Sequence, residues 1–138
     1  MTVEDGSHIN TVLGKAISKS GLSANNIDLI KVHGTATYNN DLAEFNAIQR
    51  CFSTCPAIMA LKPFIGHTLG ACGVIELALM DYLLDMPNIP VPDYVSQHPQ
   101  DVMLPFAPAS RAISSFEHVL VNHSGFGGNN AALVLETV

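Results

Sequence analysis

Ile9, Val12, Leu13, Ala16 and Ile17 recur at helical spacing, which predicts a helix over Ile9–Lys19 with Gly21 as its stop. Ser23–Asn26 reads as a loop. Ile27–Val32 (IDLIKV) is short, β-branched and apolar, as a buried strand should be. His33-Gly-Thr-Ala-Thr37 ends that strand, and Tyr38–Asn40 continues as a loop. A second helix is expected over Asp41–Phe52, with Asp41 as N-cap and Glu44 in the capping-box position. Ala57–Leu61 reads as a second strand. Thr68–Met86 reads as one long helix, apolar almost all round, so both its flanks should be covered. Its acids, Glu76, Asp81 and Asp85, fall within roughly half the circumference and define a narrow wet edge. The proline-rich stretch Pro87–Pro108 reads as an irregular surface excursion. Ala112–Val121 and Asn130–Val138 read as strands, separated by the glycine-rich turn from His123 to Asn130. Helices and strands alternate early and a hairpin-like pair closes the chain. The pattern predicts an α/β layered domain with a mixed sheet.

Composition narrows the class. The chain has 138 residues, enough for one domain; 48% are hydrophobic and 13% charged. Soluble domains average about 25% charged. Disorder is excluded by that balance. The acids inside Thr68–Met86 argue against a membrane span. With so little charge, part of the surface is expected to meet another protein layer. Net charge is −6 with six Lys and Arg in total, so no basic patch for nucleic acid can be assembled. Cys51, Cys55 and Cys72 are too few for a disulfide framework, and an odd count without a signal peptide suits a reducing cytoplasm. Cys51 and Cys55 lack a second pair to complete a metal site, so all three read as small buried hydrophobes.

Candidate chemistry gathers in three loops, each beginning where an apolar strand ends: His33–Thr37, Lys62–His67 and Asn122–Gly128. Strand ends are where α/β sheets bind ligands. The positive end of the helix after His67, with Lys62 nearby, should disfavour an imidazolium. A neutral ring there can donate to a developing oxyanion; the alternative is a histidine that caps the helix. Lys62 among apolar neighbours needs a carboxylate, for which Glu44 is the candidate, unless its ammonium reaches solvent. Gly125, Gly127 and Gly128 lack the phosphate-loop pattern and are expected to permit positive φ and close backbone approach to a site. Ser124 has no strand–turn–helix elbow around it, which disfavours a serine triad.

Together, VHGTATYNNDLAEFNAI, LKPFIGHTLGACGVIELAL and VNHSGFGGNNAALVL resemble the β-ketoacyl-acyl carrier protein synthases of the thiolase superfamily, in order and approximate spacing. The resemblance covers essentially the whole chain. It implies a thiolase-like half-domain, with a mixed sheet layered between helices. It also implies condensation of a cysteine-bound acyl group with malonyl-carrier protein and loss of carbon dioxide. His33 matches the histidine of the H-G-T-x-T motif, and Lys62 and His67 match the K-x-x-x-G-H motif. The two histidines would then assist decarboxylation and stabilise the enolate. The lysine would pair with Glu44, and Asp41 would support the loop. Asn122, Ser124, Gly125, Phe126, Gly127 and Gly128 match the N-x-x-G-F-G-G loop at the acyl entrance.

Two departures stand out. Ser124, preceded by His123, occupies the position of the family's gating phenylalanine, which puts the gating behaviour and chain-length preference in doubt. The family's nucleophilic cysteine, in a T-A-C-[SA]-S turn, has no counterpart. Cys51, Cys55 and Cys72 are not placed to replace it. The 138 residues are therefore expected to be one C-terminal domain that does not turn over alone. Its expected partners are an acyl carrier protein, the N-terminal half of the same protein, and a second subunit in a homo- or heterodimer. No cofactor, metal, membrane or nucleic acid is implied. The competing readings are a non-catalytic subunit of the chain-length-factor kind and a thiolase-fold assembly or binding module.

Overall fold

The computed structural model describes residues 4–86 and 116–137. Its elements are α1 (Ser7–Lys19), β1 (Leu29–Lys31), α2 (Tyr38–Cys51), β2 (Ala57–Met59), the short α3 (Lys62–Ile65), α4 (Cys72–Leu84), β3 (His118–Ser124) and β4 (Asn130–Glu136). One sheet runs β2-β1-β3-β4. β1 is parallel to β2 and β3, and β4 is antiparallel to β3. The expected mixed sheet and closing hairpin are present, and the turn between β3 and β4 leads into a strand.

Strand alternation sorts the side chains into two cores. Ile30 and Val32, Ile58 and Ala60, and Leu120 face α1 and α2, where Ile9, Leu13, Ile17, Ala43, Ala47 and Ile48 complete a packed layer. Leu29, Met59, Leu61, Val119 and Val121 face the other way, against Met80, with Leu79, Leu83 and Leu84 beside it. Both faces of the sheet are covered, which is why its central strands read as continuous apolar runs. Helix α1 ends as expected: the Ser20 N–H donates to the carbonyls of Ala16 and Ile17, and Gly21 turns away at φ +77°.

Several expectations shift. Helix α2 begins at Tyr38 after Thr37, so Tyr38–Asn40 is helical and Asp41 lies in the first turn instead of capping it. Ser23–Asn26 encloses a 3₁₀ turn. Thr68–Met86 is not one helix: a 3₁₀ turn at Leu69–Ala71 precedes α4. Glu76 is fully buried and does not share the wet edge with Asp81 and Asp85. It sits four residues from both Cys72 and Met80, on the stripe that packs toward the sheet. The opposite face of α4 is open, with Val74, Ile75 and Tyr82 exposed. Cys51 is half-buried and Cys55 exposed, so only Cys72 is the buried cysteine expected. Strand β3 extends through Asn122–Ser124, the first residues of the expected third loop. The Pro87–Pro108 excursion and the start of the Ala112–Val121 strand lie outside the described residues. Among the described residues, no helix is long and apolar enough to cross a membrane.

Candidate active site

Because β1, β2 and β3 are parallel, the three polar loops leave the same edge of the sheet. They meet around a cavity of about 660 Å³ whose wall includes His33, His67, Cys72, His123, Ser124 and Phe126. The rings of His33 and His67 stand edge to face with centroids 5.4 Å apart, and His123 lies 6.4 Å from His33 in a similar attitude.

Lys62 is buried at the start of α3. Its Nζ donates to the His33 carbonyl and to Glu76 Oε1 at 2.8 Å, and lies 3.3 Å from His33 Nδ1. The expected partner, Glu44, is therefore the wrong one: Lys62 pairs with Glu76, from α4 on the other side of the sheet. Lys31 joins the same carboxylate. Its Nζ bonds Glu76 Oε2 and the Asn122 carbonyl (3.2 Å), and approaches the His123 ring at 3.4 Å. One buried carboxylate thus lies between two buried ammonium groups. Burial opposes the Glu76 charge, but Lys31 and Lys62 outweigh it and draw its pKa down to about 2. Burial drives the Lys31 pKa down, against the pull of Glu76.

Glu44 does a different job. Its carboxylate accepts the backbone N–H groups of His33 (2.7 Å) and Gly34 (2.8 Å) and the side-chain amides of Asn40 (2.9 Å) and Asn122 (2.7 Å). Burial pushes its pKa up, while these donors oppose the shift. Four groups that can only donate require an acceptor-only carboxylate, so Glu44 is ionised and ties the first loop to the third. Asp41 accepts from Asn40 Nδ2 at 3.2 Å at the edge of this knot.

The tautomers follow from the partners. An ammonium can only donate, so His33 Nδ1 is an acceptor and Nε2 carries the hydrogen. Burial first, then Lys62 and Lys31, lower the His33 pKa to about 3, so the ring is neutral at pH 7. His67 is exposed, and its Nδ1 accepts the Leu69 N–H at 3.1 Å. The capping role and the donor role weighed for it are compatible, since one nitrogen caps the turn and leaves the neutral ring's hydrogen on Nε2. The cavity is thus flanked by two imidazole N–H donors, which suits it to hold an oxyanion.

Of the third loop, Ser124, Gly125 and Phe126 line the cavity, with Phe126 91% exposed. Gly127 and Gly128, at φ +76° and +80°, shape the turn behind them. Asn122 is buried beneath, with its Oδ1 unpartnered. Sequence reasoning missed Lys31, Glu76 and Cys72 and noted His123 only as a neighbour. A signal existed for Lys31, a lone charge in an otherwise apolar strand.

Ligand atoms of His33, Cys72 and His123 lie within 4.8 Å of one another, as a soft metal would require. The donor set does not fit one: Lys62 at His33 Nδ1 leaves Nε2 protonated, and two ammonium groups repel a cation. A second cluster, Glu117, His118 and Glu136, is partly exposed at the opposite end of the β3–β4 hairpin.

Residues 1–92 match the family model described as "Beta-ketoacyl synthase, C-terminal domain". Over 135 residues the chain is 31% identical to a 3-oxoacyl-[acyl-carrier-protein] synthase 2 of Mycobacterium leprae, covering 94% of this chain and 31% of that protein. The chain therefore spans about a third of that relative's length. It superposes with a TM-score of 0.85 and 26% identity on a chain of a type II PKS acyl-carrier protein in complex with its ketosynthase, covering 99% of this chain and 34% of that one. For a ketosynthase in complex with its chain length factor from Xenorhabdus doucetiae, the TM-score is 0.81 and the identity 31%, with coverages of 94% and 33%. The relatives are ketosynthases of fatty acid and polyketide synthesis, with a thiolase-like fold.

Proposed function

The chain belongs to the β-ketoacyl synthase family, through its C-terminal domain, and from that premise we propose that it forms the decarboxylating side of a condensing enzyme's active site. The reaction is a decarboxylative Claisen condensation of an acyl thioester with a malonyl thioester on acyl carrier protein. The observation that carries this reading is the pair of neutral N–H donors, His33 Nε2 and His67 Nε2, on one cavity. Loss of carbon dioxide from malonyl thioester leaves an enolate whose negative oxygen needs donors that add no net positive charge. Two neutral imidazoles meet that need. Lys62 is a positioning residue: it holds the His33 tautomer and is itself fixed by Glu76. Glu44 holds the strand end that carries His33, and Asp41 supports the same loop. Asn122 joins the third loop to that knot, and the segment Ser124–Gly128 forms the acyl entrance.

The acyl-carrying cysteine of the condensation belongs to the remainder of such a synthase, which packs on the open face of α4, where Val74, Ile75 and Tyr82 are exposed. In the absence of that half, no condensation is expected. The test is decarboxylation of malonyl thioester by the protein carrying both halves. His33→Ala and His67→Ala should each lower the rate by about 100-fold or more. If neither substitution changes the rate, the oxyanion reading fails. The likeness to a ketosynthase–chain length factor complex favours a second reading, a non-catalytic partner subunit; a two-half protein that decarboxylates nothing would establish it.

A further inference from the structure

Cys72 is buried, as the sequence leads one to expect, and it also lines the cavity, where the sequence gives it no role. It is the first residue of α4, a 13-residue helix, and its Sγ lies within 4.8 Å of ring nitrogens of His33 and His123. The Sγ–H donates to Glu76 Oε1 at 3.2 Å. Glu76 in turn is held by Lys31 and Lys62, so this sulfur, at the first residue of α4, is bonded into the buried charge cluster through Glu76. From this constellation we propose that Cys72 is an acyl-accepting thiol of the cavity, with His123 as its base and His33 as the donor to the oxyanion. The proposal takes from the condensing reading only the class of electrophile, an acyl thioester.

The roles follow from the partners. Burial and the Glu76 contact push the Cys72 pKa up, so the resting sulfur is a thiol and needs a base. His123 can serve: burial, then Lys31, lower its pKa to about 4, so at neutral pH the ring is neutral and keeps one unprotonated nitrogen, which Lys31 Nζ approaches at 3.4 Å. Once protonated it has a counterion, with Glu76 Oε2 at 3.6 Å from Nδ1. His33 cannot accept that proton at Nε2, which already carries one, but that N–H is the donor a tetrahedral oxyanion needs. In the step, Cys72 Sγ attacks the thioester carbonyl carbon as its proton passes to His123. The oxyanion collapses, the new S–C bond of acyl-Cys72 remains, and the bond to the carrier sulfur breaks. The departing thiolate takes the proton from His123, so one thioester is exchanged for another with no redox change.

The test uses the full chain with Cys51→Ser and Cys55→Ser, since the exposed Cys55 would react on its own. It is incubated with the octanoyl thioester of N-acetylcysteamine and followed by intact mass, with peptide mapping. One octanoyl adduct on Cys72 is expected, formed faster by the folded chain than by the same chain in urea. Adding Cys72→Ser removes it, and His123→Ala, with His123→Gln as substitute should Ala impair folding, slows it by about 100-fold. No adduct on Cys72, a rate no faster than in urea, or indifference to both His123 changes would overturn the proposal. The assay contains no malonyl group, so the two readings fail separately. Decarboxylation with no Cys72 adduct refutes this proposal alone, and an adduct without decarboxylation refutes the condensing reading alone.

Discussion

Lowering the pH from 7.5 to 5 should unfold this domain's margin through two histidines. His33 and His123 have pKa values of about 3 and about 4 in the folded chain, both lowered by burial and then by the lysines. In the unfolded chain each returns to the ordinary histidine value of 6.5. The unfolded state therefore binds more protons below that value, and stability falls as pH falls. The stability these rings contribute is complete above 6.5 and is lost down to about 3 and 4. At pH 5, protonation of an unfolded histidine is worth about 2 kcal/mol, so the pair contributes a loss of about 4 kcal/mol. Glu76, at about 2 folded against 4.5 unfolded, adds to the loss only below about pH 4.5, and Glu44, shifted upward, works in the opposite sense. Urea unfolding at pH 7.5, 6 and 5, followed by circular dichroism, measures the slope. The chain with His33→Gln and His123→Gln should lose much less over the same interval. A native chain whose unfolding free energy changes by under about 0.5 kcal/mol between pH 7.5 and 5 would refute the assignment of two neutral rings held below the ordinary histidine range.

Glu76→Gln leaves two buried ammonium groups without their carboxylate and should cost about 3–5 kcal/mol in urea unfolding. Adding Lys31→Met should recover part of that loss, and no recovery would mean the two cations do not share the site energetically. Gly6→Ala forces a Cβ to 2.3 Å from the Ala43 carbonyl oxygen at a residue with φ +70°, so α1 must move off α2. A drop of about 2–3 kcal/mol is expected by the same measurement, against under 1 kcal/mol if α1 can shift freely.

What could be read from the chain alone divides along a physical line. Helix α1 was legible because Ile9, Leu13 and Ile17 repeat with the helical period and face one layer. The gathering of the three loops was legible too, because each follows a buried apolar strand and parallel strands bring their ends to one edge. The charge partners were not. Leu61 faces the α4 side of the sheet, and one more extended residue would have turned Lys62 toward α2 and Glu44. The chain instead enters α3 at Lys62, the alternation stops, and the ammonium stays on the side of Glu76. Glu44 has the spacing of a capping box, yet its carboxylate serves the N–H groups of His33 and Gly34 on another element.

Glu76 was hidden by its own chemistry, since an acid in an apolar helix reads as the wet side. Only the two lysines make its burial tolerable, and Lys31 reaches it because strand parity turns residues 29 and 31 toward α4. The helical repeat that seats Met80 in the core also sets Glu76 under the lysines and Cys72 against the cavity. The packing of α4 and the electrostatics of the site therefore rest on one stripe. A change that rotates this helix would disturb the tautomer of His33 through Lys62 before it opened the core.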